Sequence, residues 1–307
     1  MIRRRTFLLA ASGLAAGRPL VIDTHIHLFA SDKTKFPPHA NASYRDYKLL
    51  DVANYCRFAA QAGIAHTIIV HPEPYQDDHS YLEYSFTQEQ PKGFFKGTCL
   101  FDPIRPDTPR RMEEIVKRNP NRIVAIRIHS TRPTSKPATT SGPMRDRDLT
   151  HPGFRNLWRK AGDLGLAVQC HAAPPFHPQI AAIARDFPKV KVVVDHLGHG
   201  GTEQARFGYR PGEFDNVLAL AKLPQVILKV SALRYSSRQP YPHEDIKPLI
   251  RSAFQAFGPE RMIWGGLGAT MKEHEEYRKL FEHHFDFASG AERERIMGLN
   301  AKALYGF

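Results

Sequence analysis

Cysteine is scarce in this 307-residue chain, which has three, at Cys56, Cys99 and Cys170. An odd count at scattered positions excludes a disulfide framework, and buried free thiols are expected of all three. Cys56 lies in a helical pattern, Cys99 and Cys170 in strand patterns. Long apolar runs are also lacking. Leu8 to Ala16 is the longest stretch of that kind, too short to span a bilayer as a helix. No glycine-rich phosphate loop follows the first strand pattern, which removes the main support for a dinucleotide-binding open sheet. Neither an internal repeat nor a low-complexity segment is found. Acidic residues are outnumbered, 31 against 43 basic, for a formal net charge of +12. The basic residues form no stripe with interleaved aromatics, so nucleic-acid binding is not expected. A small-molecule substrate, with a mild preference for an anionic one, is the more natural partner.

The N-terminus carries Arg4-Arg5-Thr6-Phe7-Leu8 followed by small apolar residues and Gly17. This matches a twin-arginine export signal over residues 1–17. A periplasmic or exported protein is therefore expected, with residues 18–307 as one domain. Without the three leader arginines the charge is about +9.

Beyond the leader the pattern alternates strand and helix. Apolar strand candidates fall at Leu20–Ile22, Thr67–Val70, Phe95–Phe101, Ile123–Ile128, Leu166–Cys170, Val190–Val194, Val226–Val230 and Met262–Trp264. Asp51 reads as a helix N-cap with Gly63 as its stop. Thr108-Pro109 opens another helix, with proline at a favoured position. Ser289-Gly290-Ala291-Glu292 reads as a capping box. Eight strands alternating with helices predict parallel pairing with right-handed crossovers. The expected fold is a distorted (β/α)8 barrel of one domain, with its active site at the C-terminal strand ends. Arg132 to Pro143, rich in Thr, Ser and Pro, reads as a long loop over that mouth.

Histidines cluster at those ends. In a strand, side chains two apart share a face, so His25 and His27 converge and can share a divalent metal. His71 follows the second strand, His129 the fourth, His171 the fifth and His196 the sixth. Cys170 should point away from His171. His71 and His129 are candidate bases, since an unperturbed imidazole titrates near 6.5. Arg127 and Arg132 are candidates to fork onto a substrate carboxylate. Tyr75 and Tyr235 are candidate hydrogen-bond donors. Lys229, inside the seventh strand, either snorkels to the pocket or joins a salt bridge. His274, His283 and His284 read as solvated surface of a late helix.

Together, Ile22-Asp23-Thr24-His25-Ile26-His27, His171, Val194-Asp195-His196-Leu197-Gly198 and the ending Gly298 to Gly306 resemble the amidohydrolase-related (amidohydrolase 2) family. His71-Pro72-Glu73-Pro74-Tyr75, Ser80-Tyr81 and Leu228-Lys229-Val230-Ser231-Ala232 look most like its lactonase-type branch. The resemblance implies His25, His27 and His171 as ligands of a divalent metal, with zinc expected, although members of this branch also work without a tightly held metal. It implies that His196 polarises the substrate or shuttles a proton. Three imidazoles would leave positions open on zinc for water and substrate.

One position departs from the family. The aspartate expected after the eighth strand falls on Leu267, which can neither ligate a metal nor accept a proton. A missing general base costs about 10²–10⁴-fold in rate. Three readings stay open. The first is a hydrolase of a small lactone or related carboxylic ester, using another base or the metal hydroxide. The second is a non-oxidative decarboxylase of an aromatic or unsaturated acid. The third is a catalytically impaired binding relative.

Overall fold

The computed structural model describes residues 19–42, 50–130, 149–201, 212–268 and 270–307. The proposed export signal and Arg132 lie outside the described residues. Eight parallel strands form one sheet in the order β1 to β8. They are β1 (Ile22–Ile26), β2 (His66–Val70), β3 (Phe95–Leu100), β4 (Ile123–Ser130), β5 (Ala167–Ala172), β6 (Val192–Val194), β7 (Val226–Val230) and β8 (Met262–Trp264). Helices between them include α1 (Val52–Ala62), α2 (Ser80–Thr87), α3 (Thr108–Arg118), α4 (Pro152–Asp163), α5 (His177–Asp186), α6 (Asp215–Ala219), α7 (Lys247–Phe257) and α8 (Met271–His284). The short α9 (Gly290–Glu294) and α10 (Asn300–Tyr305) end the chain. This is the expected barrel. The seam between β8 and β1 is tied by the Leu267 amide donating to His25 O at 2.9 Å and the Thr24 hydroxyl to Trp264 O at 2.5 Å.

Two apolar layers follow from strand alternation. Ile22, Ile68, Val70, Ala125, Ala167, Val193 and Ile263 meet inside the barrel, where Ala301 and Tyr305 of α10 plug the bottom. Their neighbours Ile69, Ile126, Val168, Cys170, Val194 and Trp264 face the helices. Cys170 thus points away from the lumen, as its parity requires. On β1 the register against β2 shifts between Asp23 and Ile26. That irregularity lets Ile22 belong to the inner layer while Ile26 and Leu28 belong to the outer one. A bulge of this kind re-aims a side chain at a barrel rim, and here it turns His25 and His27 to the lumen.

The caps follow the sequence. Asp51 accepts from the Asn54 amide and Gly63, at φ 70°, closes α1. Ser289 and Glu292 form the capping box. One expectation is corrected. His274 and His284 are buried, and only His283 reaches solvent, where it pairs with Glu244 at 2.6 Å. The reason is periodicity: His274, Tyr277, Phe281 and His284 recur at helical spacing and form the inner face of α8. The His274 ring packs edge-on against Phe58 and Trp264, with centroids 5.1 and 5.5 Å away.

At the barrel bottom Gly298 lies against the chain entering β1. A Cβ there would sit 2.2 Å from the Leu20 carbonyl oxygen. Because that neighbour is backbone, Gly298→Ala is expected to destabilise the fold by about 1–3 kcal/mol. The midpoint of thermal unfolding should fall by several degrees, roughly 2–4 °C per kcal/mol at this size. An unchanged midpoint by calorimetry would mean the two segments are not in contact.

Candidate active site

The lumen changes from apolar to polar towards the C-terminal strand ends. Arg127 and His129 continue the inner parity of Ala125, Gln169 and His171 that of Ala167, Lys229 and Ser231 that of Ile227, and Asp195 that of Val193. All but His171 are buried, and Lys229 and Asp195 are fully so. Transferring such charges from water is costly unless they are paired, and Asp195 supplies the pairing. Its Oδ2 accepts from Arg127 Nε at 2.9 Å, and its Oδ1 lies 3.2 Å from Lys229 Nζ. Gln169 Nε2 lies 2.9 Å from both oxygens. Lys229 Nζ also donates to Thr24 O at 3.0 Å. Burial alone would raise the Asp195 carboxyl, but Lys229 and then Arg127 outweigh it and hold its pKa well below the usual carboxylate range. Burial pulls the Lys229 ammonium down, against the attraction of Asp195. The strand lysine is therefore one half of a buried ion pair, with Arg127 as a second cation on the same carboxylate.

Six imidazoles ring this hub: His25, His27, His129, His171, His196 and His199. Ring centroids are 4.6 Å apart for His25 and His196, 4.7 Å for His129 and His171, and 4.3 Å for His171 and His199. Desolvation is the first cause of a lowered pKa in all six, with His27 near 4 and His199 near 3. Burial thus favours the neutral imidazole, with one lone pair and one N–H, in all six.

Their partners assign some tautomers. His27 Nδ1 donates to Val70 O at 2.8 Å, which leaves its Nε2 as a lone pair. His25 Nδ1 lies 3.7 Å from Asp195 Oδ1, beyond hydrogen-bond distance, so this contact does not fix the His25 tautomer. The Nε2 atoms of His25 and His27 are 3.3 Å apart. With its proton on Nε2, His25 hydrogen-bonds to the His27 lone pair; with its proton on Nδ1, both Nε2 atoms are free to ligate one cation. Two nitrogens bound tetrahedrally to zinc at 2.0–2.1 Å would lie about 3.3–3.4 Å apart. The donor pair therefore fits a divalent ion, held by His25 and His27 and oriented from behind by Val70 O and Asp195. An Asp195 oxygen, a His25 nitrogen and a His196 nitrogen also lie within 4.8 Å of one another. His171 is placed differently. Arg127 Nη2 donates to its Nδ1 at 2.9 Å, and His199 Nε2 lies 3.3 Å from the same atom. A guanidinium has no lone pair to offer, so it occupies the His171 Nδ1 lone pair and the ring proton sits on Nε2.

The turn after β6 is strained. His196, Leu197, Gly198 and His199 have φ of 55°, 50°, 63° and 57°, four consecutive left-handed residues. Each non-glycine costs about 1–2 kcal/mol there. Strain of this kind concentrates at functional sites, and this turn aims both His196 and His199 at the hub. Leu267, at φ 52°, is also left-handed and half-buried. Asparagine or aspartate adopts that conformation more readily.

Other residues singled out in the sequence take varied places. His71 leaves the ring and packs against His79 and Tyr75, with centroids 4.5 and 6.0 Å away. The Tyr75 hydroxyl accepts from the Ala30 amide at 2.8 Å. The Tyr235 hydroxyl accepts from Arg234 Nη2 at 2.7 Å. Arg127 is committed to Asp195 and His171, which makes it a positioning residue in this geometry. Sequence reasoning missed Asp195 as the hub, and with it Gln169, His199 and Ser231. Strand parity was the signal that could have found Gln169 and Ser231, each two residues from a residue already named.

Comparison with known proteins places this geometry. The amidohydrolase family model (Amidohydro_2) matches residues 22–307. L-fucono-1,5-lactonase of Burkholderia ambifaria is 24% identical over 273 residues, 80% of this chain and 78% of that protein. The 4-sulfomuconolactone hydrolase of Hydrogenophaga intermedia is 25% identical over 299 residues, 92% of this chain and 88% of its own. Among solved structures, a probable 2-pyrone-4,6-dicarboxylic acid hydrolase from Acinetobacter baumannii, with citric acid bound, superposes with a TM-score of 0.75. It is 20% identical and covers 94% of this chain and 99% of its own, a likeness of fold. A match from the first strand to the last residue, on a barrel whose histidines gather at the strand ends, means that this chain belongs to the amidohydrolase family.

Proposed function

We propose that this protein hydrolyses a small lactone or related carboxylic ester at the histidine-ringed mouth of its barrel. The observation that carries the reading is the converging His25–His27 pair, backed by an Asp195 carboxylate that two buried cations fix in place. Both similar curated enzymes named above act on lactones, which supports the same bond as the target here. The buried, neutral imidazoles provide N–H donors and lone pairs without charge, as an ester carbonyl requires. His171, with its proton on Nε2, is a donor. The excess of basic over acidic residues in the chain, 43 against 31, supports a substrate carrying carboxylate. A divalent ion such as zinc, whose bond lengths suit two nitrogens at this spacing, would supply Lewis-acid polarisation of the carbonyl when held by His25 and His27. Location belongs to the same proposal: Arg4-Arg5 and the apolar stretch after them support export by the twin-arginine route.

The test is turnover on a panel of γ- and δ-lactones, with and without a carboxylate substituent, followed by release of acid. Wild-type protein is expected to hydrolyse members of the panel. His25→Ala and His27→Ala are each expected to lose at least about 100-fold in kcat/KM, or about 2.7 kcal/mol of transition-state stabilisation. Undiminished turnover in both variants would remove the site from the reaction. Release of carbon dioxide from an aromatic or unsaturated acid, with no lactone turned over, would favour a decarboxylase instead.

A further inference from the structure

The proposed hydrolysis needs a nucleophile, and the position where the family resemblance implies its base is here Leu267. Asp195 does not fill the gap, because Arg127, Gln169 and Lys229 occupy both of its oxygens. Another pair on the same strand ends can. Ser231 follows β7 directly, on the lumen parity of Lys229, and its Oγ lies 2.8 Å from His196 Nδ1. With the His196 proton on Nε2, Ser231 donates to Nδ1 at the separation of a hydroxyl nucleophile from its base. Both residues are built in rather than incidental. Ser231 is 2% and His196 6% exposed, and each sits at a left-handed turn, His196 at φ 55° and Ala232 behind Ser231 at φ 57°. The His196 ring is 4.6 Å from that of His25, so the pair stands beside the place where a carbonyl would be polarised. Gly265 makes room between them: a Cβ there would lie 2.7 Å from His25 Cβ and 3.4 Å from Ser231 Cβ.

We propose that Ser231 is a nucleophile that attacks the lactone carbonyl, with His196 as its base. The Ser231 Oγ forms a bond to the carbonyl carbon while its proton passes to His196 Nδ1. The ring C–O bond then breaks, and the departing alkoxide takes the proton from His196. This leaves a Ser231 ester whose acyl chain carries the new hydroxyl. Water, deprotonated by the same imidazole, attacks that ester, releases the hydroxy acid and restores the serine. His196 touches the reacting proton in both halves, and Leu267 is no handicap because no strand-eight carboxylate takes part.

This inference rests on the lactone reading, yet it can be tested apart from it. Wild-type protein is treated with a small alkyl fluorophosphonate, and intact mass spectrometry reads the adduct. A bond forms from Oγ to phosphorus, fluoride leaves and the proton goes to His196. One adduct per chain is expected, mapped to the Ser231 peptide, absent in Ser231→Ala and formed at least about 100-fold more slowly in His196→Gln. On any lactone the wild type hydrolyses, Ser231→Ala should lose kcat by about 10²-fold or more with its melting temperature kept. No adduct at Ser231 in the wild type overturns the proposal. So does a Ser231→Ala protein that turns over lactone at the wild-type rate, which would leave the lactonase reading standing. An adduct at Ser231 in a protein silent on every lactone would uphold the nucleophile and remove that substrate class.

Discussion

Asp195→Asn is expected to be the most damaging single substitution in the barrel. The change keeps the shape and removes one charge, so its cost measures electrostatics rather than packing. Lys229 Nζ, 3.2 Å from Oδ1, and Arg127 Nε, 2.9 Å from Oδ2, would be left as buried cations facing a neutral amide. Breaking a buried pair from one side costs about 3–5 kcal/mol, and here two cations share the one anion. Lys229 can relieve its share by losing its proton, which burial already favours. A guanidinium cannot do so at any accessible pH. The amide would also turn an N–H donor towards a neighbour that itself donates. A fall of about 10 °C or more in the thermal midpoint is expected, at roughly 2–4 °C per kcal/mol, with lactone turnover abolished. Lys229→Met in the same background should restore part of the stability, since it removes one orphaned charge. An Asp195→Asn protein that melts with the wild type would show that the carboxylate is not the counter-charge of this network.

The barrel was legible in the sequence because parallel strands buried on both faces read as short apolar runs between helical segments. The site was legible only where a histidine announced it. His25, His129, His171 and His196 do converge at one mouth. Asp195 is not legible as the hub from its motif, because sequence proximity to His196 hides what parity shows. Counting by twos from each apolar inner residue reaches Arg127, Gln169, Lys229 and Ser231, which together enclose the carboxylate. The turn from His196 to His199 was beyond pattern reading, since nothing in His-Leu-Gly-His marks four left-handed residues in succession; only Gly198 favours that conformation. His274 and His284 were misplaced for a different reason. Histidine counts as polar, so the 274/277/281/284 stripe was not recognised as apolar. Yet an imidazole packed against Phe58 and Trp264 behaves as an aromatic ring.

Those buried rings make the fold sensitive to acid. His79, His177, His274 and His284 lie outside the ring of six, and burial first of all lowers them to about 3, 4, 4 and 4. In the unfolded chain each titrates near 6.5. Between pH 6.5 and 4 the unfolded state therefore binds up to one more proton per ring. The folded state is fully favoured above 6.5 and loses that advantage as pH falls. Each ring contributes a slope approaching about 1.4 kcal/mol per pH unit, so the four together approach about 5.5 kcal/mol per unit. Asp23 opposes them, since burial raises its pKa to about 6 and the folded state then binds its proton first, but it is one group against four. Over two units below pH 6.5 the net loss approaches the whole of an ordinary stability of about 5–15 kcal/mol. The thermal midpoint should be nearly level above pH 7 and fall steeply below pH 6. Far-ultraviolet circular dichroism should show the chain unfolding above pH 4. A double variant, His274→Asn with His284→Gln, should start from a lower midpoint because packing is lost, yet fall with a visibly shallower slope below pH 6. A midpoint equal at pH 7 and 4.5 would mean that these rings stay solvated enough to protonate in place, and the burial argument for all of them would fail together.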